Sequence, residues 1–95
     1  MSIFEQITIK IIKEQELIIG PIAWEEAQKV PGIIIDKTRH SIGLRSDKSK
    51  TVDNLVKQYG RLFGRASEEV CREAAKDLLV KLPPGEIPFS LKERK

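Results

Sequence analysis

The sequence predicts an α+β domain, mostly helical, in the order α-α-β-β-α-α, with one β-hairpin packed on helices. Three observations carry this prediction. Apolar residues recur at intervals of three and four over residues 3–19 and, more strictly, over 52–63 and 70–82, as in helices buried on one face. Between these runs, Ile33-Ile34-Ile35 and Ile42-Gly43-Leu44-Arg45 flank a polar stretch, as the strands of a hairpin do. Gly20-Pro21, Pro31-Gly32, Gly64 and Pro83-Pro84-Gly85 fall where one element must stop and the next begin.

Residues 3–19 place Phe4, Ile7, Ile11, Ile12, Ile18 and Ile19 on one broad helical face. Ile7, Ile9 and Ile11 also alternate with Thr8 and Lys10, a strand-like run of β-branched residues. The helix is preferred because the apolar pattern outlasts that short alternation. Gly20 suits a left-handed cap and Pro21 the first turn of a second helix over 21–30. That helix is expected to turn Ala23, Ala27 and Val30 inward, to hold Trp24 at the margin and to leave Glu25 and Glu26 in solvent. The triple Ile implies a first strand covered on both faces. A lone two-stranded hairpin is marginal in water, so it must pack on helices or pair with a strand of a second subunit. Thr51 is the expected cap of the third helix, whose inward stripe is Val52, Leu55, Val56, Tyr59, Leu62 and Phe63. Gly64 ends that helix. Ser67 is the expected cap of the fourth, with Glu68 and Glu69 in its first turn, where the helix dipole favours acids. Val70, Cys71, Ala74, Ala75, Leu78, Leu79 and Leu82 form its stripe. The last two helices are expected to pack as an antiparallel pair covered by the first helix and the hairpin. Residues 1–85 then make one domain. Residues 86–95 make a C-terminal tail, anchored by Ile87, Pro88, Phe89 and Leu91 and fraying beyond them.

A chain of 95 residues fits one modest core, burying roughly 60–65% of its unfolded surface. With 40% hydrophobic and 33% charged residues, the composition is that of a globular protein rather than a disordered one. Cys71 is the only cysteine, which excludes an intrachain disulfide and a cysteine-based zinc site and suits a reducing compartment. No apolar run approaches the roughly 20 residues of a membrane span, and the N-terminus lacks the pattern of a secretory leader. The expected location is a bacterial or archaeal cytoplasm, with no membrane partner.

Few residue sets are suited to catalysis. Cys71 and His40 are the only pair of the Cys–His type, but Cys71 lies within an apolar stripe, where a small buried side chain belongs. Glu25-Glu26 and Glu68-Glu69 are adjacent in sequence and diverge by about 100° on a helix, so neither makes a shared acid–base or metal site. One His, one Cys and no Asp cluster leave a metal short of ligands. The glycines of Gly60-Arg61-Leu62-Phe63-Gly64-Arg65 lie in and after a helix, whereas nucleotide-binding loops run from strand to helix. Gly60 is unusual within a helix, where it costs about 1 kcal/mol relative to Ala. A close helix crossing, a kink or an early helix end would each account for it. No catalytic residue, cofactor or metal is predicted.

The net charge of +3 is uneven. Residues 1–35 sum to −2, residues 36–65 to +5, and residues 66–95 to zero. Lys37, Arg39, His40, Arg45, Lys48 and Lys50 cluster on the hairpin and the loop after it, and Arg61 and Arg65 follow near the end of the third helix. These eight are the candidate binding residues. The leading function is a small non-catalytic protein–protein interaction module that self-associates as a homo-oligomer and takes an acidic protein partner at the basic hairpin. Association would let a small chain complete its core. The alternative is a nucleic-acid-binding protein that lays the same hairpin against phosphates. The helix–helix–hairpin order resembles part of a winged-helix domain. However, Glu25 and Glu26 would repel phosphate on the helix before the wing, and the basic segment lacks aromatic residues for base stacking.

The stretch from Ile3-Phe4-Glu5-Gln6-Ile7 to Pro31-Gly32-Ile33, and the stretch Gln58-Tyr59-Gly60-Arg61-Leu62-Phe63-Gly64, resemble a small uncharacterised family found in cyanobacteria. That resemblance implies a cytoplasmic protein and assigns no role to any residue.

Overall fold

Ser2 starts the first helix with a reciprocal cap. Its Oγ accepts from the Glu5 N–H at 3.2 Å, and Glu5 Oε1 accepts from the Ser2 N–H at 2.9 Å. The computed structural model describes residues 2–36, 41–45 and 47–92. Helix α1 runs Ile3–Ile19, in agreement with the helical reading of this stretch. Ile7, Ile11 and Ile12 are completely buried while Ile9 is only half-buried, so the short alternation in the sequence does not govern the backbone. The helix stops at Gly20 (φ 79°, ψ −163°), a combination open almost only to glycine. Pro21 leads into α2, Ile22–Gln28, which is shorter than the sequence suggests. Ala23 and Ala27 are fully buried and Trp24 is half-buried, as expected.

The strands β1 (Ile33–Asp36) and β2 (Ser41–Leu44) form an antiparallel pair in which Ile33 faces Leu44, Ile34 faces Gly43 and Ile35 faces Ile42. Ile33, Ile35, Ile42 and Leu44 share the face that joins the core. Ile34 does not, and it is 47% exposed above Gly43, so only one face of β1 is covered. β2 packs on α1 and β1 packs on α2, and these helices supply the support a lone hairpin lacks. The connection between the strands lies outside the described residues.

Helix α3 runs Lys48–Phe63 and begins a turn earlier than expected, because Asp47 rather than Thr51 caps it. An Asp47 side-chain oxygen accepts from the Lys50 N–H at 3.1 Å. Thr51 is buried inside the first turn and donates its hydroxyl to the Asp47 carbonyl. One residue, Gly64, then separates α3 from α4, Arg65–Leu79. Gly64 (φ 86°, ψ −175°) both ends one helix and starts the next. Ser67, the expected cap, sits one turn inside α4 and caps nothing.

Helix α1 is the centre of the packing. It packs most extensively on α4, with further contacts to α2, α3 and β2, while α3 and α4 also pack on each other. The hairpin rests mainly on α1 and α2 rather than on the last two helices. The core joins Ile7, Ile11 and Ile12 to Val52, Leu55, Val56, Tyr59, Cys71 and Ala75. After α4 the chain makes two single 3-10 turns, Pro84–Glu86 and Phe89–Leu91. Pro88 and Leu91 are buried and anchor the tail, but Phe89 is 72% exposed and does not. Ser90 fixes the tail between two helices. Its N–H and hydroxyl both donate to Asp53 of α3, and its carbonyl accepts from Arg72 of α4 at 3.1 Å. The expected fraying at residues 93–95 falls outside the described residues.

Candidate interaction surface

The predicted basic residues do not form one group. Lys37, Arg39 and His40 lie outside the described residues. Arg45 follows β2 and donates its N–H to the Gly32 carbonyl at 2.8 Å. Lys48 and Lys50 occupy the first turn of α3, whereas Arg61 lies in its last turn and Arg65 opens α4. At about 1.5 Å of rise per residue, Lys48 and Arg61 are roughly 20 Å apart along the helix axis. Among the described residues, Lys48 and Lys50 are therefore separated from Arg61 and Arg65 by the length of α3.

The end that holds Lys48 and Lys50 is not a cationic site. The two lysines border a groove of about 650 Å³ together with Asp47, Asp53, Glu86 and two phenylalanines, Phe4 and Phe89. Two ammonium groups thus face three carboxylates. The Glu5 carboxyl is held below its ordinary range by hydrogen bonds from Ser2, with a smaller contribution from the charge of Lys48. Asp53 is also lowered: burial works against its charge, but the hydrogen bonds from Ser90 and the ammonium of Lys57, 3.1 Å away, outweigh it.

The opposite end is built differently. Gln15 of α1 donates from Nε2 to the Ser67 carbonyl at 2.8 Å and to Cys71 Sγ at 3.3 Å, which pins the last turns of α1 to the first turns of α4. Tyr59 is completely buried and donates its hydroxyl to the Ala23 carbonyl at 2.7 Å, which pins α2 to α3. Glu26 was expected in solvent but is 7% exposed. Its two oxygens accept from Lys29 Nζ and Gln58 Nε2, each at 2.9 Å, and these contacts hold its carboxyl below the ordinary range. Gln58 in turn accepts from Arg61. Gly60 is explained by a close approach, because a Cβ there would overlap the side chain of Glu68 across the α3–α4 corner.

These bonds gather the end of α1, the start of α2, the end of α3 and the start of α4 into one corner. That corner is apolar on its outside. Leu17 is 81% exposed, Ile18 64% and Leu62 47%, and Ile22 and Phe63 are also exposed. Of the eight large exposed apolar side chains among the described residues, five belong to the helix ends that meet here: Leu17 and Ile18 in the last turn of α1, Ile22 at the start of α2, and Leu62 and Phe63 at the end of α3. Ile18, Leu62 and Phe63 were expected on the buried faces of their helices. Glu16 of α1 and Glu25 of α2 are exposed, as are Arg61 of α3 and Arg65 of α4, while Glu68 lies half-buried across the α3–α4 corner.

Cys71 is completely buried against Gln15, and burial pushes its thiol up to about 12, so it stays protonated near neutrality. Among the described residues no group of three or more His, Cys, Asp or Glu side chains converges as metal ligands would, and no helix is long and apolar enough to cross a membrane. A second groove of about 660 Å³ separates the outer face of α4 from the tail, and there Arg72 is already engaged by Glu69 and Ser90. No protein-family model, curated protein or solved structure matches the chain.

Proposed function

We propose that this protein is a non-catalytic protein–protein interaction module that self-associates through the apolar corner formed by the α1–α2 turn and the α3–α4 turn. The observation that carries this reading is that Leu17, Ile18, Ile22, Leu62 and Phe63 are all exposed at the adjoining ends of α1, α2 and α3. Single exposed apolar residues are ordinary on a soluble protein, but a contiguous group rimmed by charge is the usual mark of a binding surface. A small domain also gains most from such a surface, since association completes a core that its own length limits. The buried, protonated thiol of Cys71 supports a role other than nucleophilic catalysis.

The test is light scattering coupled to size exclusion at micromolar concentration and above. The wild type is expected at about twice its 10.8 kDa chain mass. Leu17→Lys combined with Leu62→Lys is expected to run as a monomer with an unchanged far-ultraviolet circular dichroism spectrum. A wild type that remains monomeric at several hundred micromolar would overturn the proposal. So would a double variant that associates as tightly as the wild type.

A further inference from the structure

The geometry points to one partner and one register for this corner: a second copy of the chain, docked about a two-fold axis so that Arg61 and Arg65 of each copy face Glu16 and Glu25 of the other. This inference rests on the self-association proposed above and adds the symmetry and the charge pairing.

Charge is distributed unevenly around this corner. The α1–α2 side of the rim carries Glu16 and Glu25, and the α3–α4 side carries Arg61 and Arg65, all four exposed. The side chains of Glu16, Glu25 and Arg65 make no hydrogen bond or ion pair within the described chain, and Arg61 donates to the neutral amide of Gln58, with its charge also acting on nearby Glu26. Other acids meet bases within the chain, as in Glu26–Lys29 at this corner and Asp53–Lys57 and Glu69–Arg72 away from it. The α1–α2 side of the corner is therefore net acidic, and the α3–α4 side, with Arg61 and Arg65 against half-buried Glu68, is net basic.

A two-fold interface places one patch against itself, so a residue on one half of the patch meets the other half of the partner's patch. A corner that was acidic throughout, or basic throughout, would oppose like charges under that operation. This one opposes unlike charges on both sides of the axis. The apolar residues then meet at the centre, where water is excluded, and the charges meet at the rim, where they set register. A standard interface buries about 800 Å² per partner. That is about a seventh of the 5916 Å² surface of this chain. An unrelated acidic partner would leave Glu16 and Glu25 opposite its own carboxylates, and a nucleic acid would do the same with phosphates.

The test uses two reciprocal charge reversals in the full chain. One variant carries Arg61→Glu and Arg65→Glu, and the other carries Glu16→Arg and Glu25→Arg. In this register each variant alone opposes like charges at every rim contact. Each should dissociate at least about tenfold more readily than the wild type by sedimentation equilibrium, a change within reach of a few exposed ion pairs turned repulsive. An equimolar mixture of the two restores opposite charges at all the rim contacts. It should form a mixed dimer with affinity near that of the wild type. Circular dichroism of each variant confirms folding, and recovery in the mixture also shows that both chains are folded. If both variants weaken but their mixture does not recover, the register is overturned while self-association through the corner stands. If each variant associates as well as the wild type, the pairing is likewise overturned. If the wild type itself is monomeric, the reading beneath it fails.

Discussion

Replacing Ser67 by Ala is expected to stabilise this protein. Ser67 is 6% exposed, and its Oγ is the one buried side-chain oxygen or nitrogen among the described residues without a hydrogen-bond partner. A buried polar group left unsatisfied costs about 1–3 kcal/mol. Ala is also the better helix former inside the first turn, by roughly 0.5 kcal/mol. Against these gains, removal of one oxygen forfeits a few dispersion contacts worth about 0.1–0.2 kcal/mol each. The net expectation is a gain of about 1–2 kcal/mol, with each kcal/mol raising Tm by about 4–8 °C in a domain of this size. The assay is urea unfolding at fixed protein concentration, followed by Trp24 fluorescence and by circular dichroism, since association would otherwise add to apparent stability. Coincident curves establish two-state behaviour. With a slope of about 1–3 kcal/mol per molar urea, the midpoint should rise by roughly half to one molar. If Ser67 capped α4, its loss would instead cost about 1 kcal/mol. A lower midpoint, or none of the expected rise, would refute the assignment of the hydroxyl as buried and unpaired.

Two other perturbations test different parts of the chain. Gly64→Ala places a side chain at φ 86° and ψ −175°, where the backbone strain is about 1–3 kcal/mol although no atom lies within 4 Å of the new Cβ. A Tm equal to that of the wild type would show that the corner has relaxed to another conformation. The lowered carboxyl of Asp53 links the tail to pH. A group whose folded value is depressed stabilises the fold above its unfolded value and loses that contribution as the pH falls through the folded one. Stability should therefore fall as the solution is acidified from the ordinary Asp value of 3.8 downward. Glu5 and Glu26, also lowered, contribute to the same loss. Asp53→Asn should remove only its own share, so the drop in urea midpoint between pH 6 and pH 3 should be smaller in the variant. Equal drops would show that the bond from Asp53 to Ser90 carries no charge-dependent stability.

The elements were legible in the sequence wherever periodicity was long and punctuation strong. The extent of α1 follows from its isoleucines and from Gly20-Pro21, and the α3–α4 boundary follows from Gly64. The caps were less legible, because Asp47, Thr51, Ser67 and their neighbours are all cap-forming types. Only the backbone decides which of them stands at the end of a helix. Glu26 was misplaced because its partner Gln58 lies 32 positions away, and no local pattern records that contact. Ile34 was misplaced because strand burial depends on what lies opposite, and what lies opposite is Gly43. The candidate surface was hidden for a related reason. Periodicity assigns Ile18, Leu62 and Phe63 to an inward face but says nothing of where the neighbouring helix ends. The basic run misled in the opposite direction: residues close in sequence were separated by the length of α3.

The central position of α1 has a consequence for synthesis. Ile7, Ile11 and Ile12 leave the ribosome well before α4, the helix on which α1 packs most extensively. Until residues 65–79 emerge, the nascent chain carries an uncovered apolar stripe, and translation at about 5–20 residues per second leaves it so for several seconds. The α3–α4 pair, joined by a single residue, closes almost without loop entropy once it is free. The native docking of α1 therefore waits for a template made from residues downstream of it. In the interval, the stripe is the segment of this protein most in need of a chaperone.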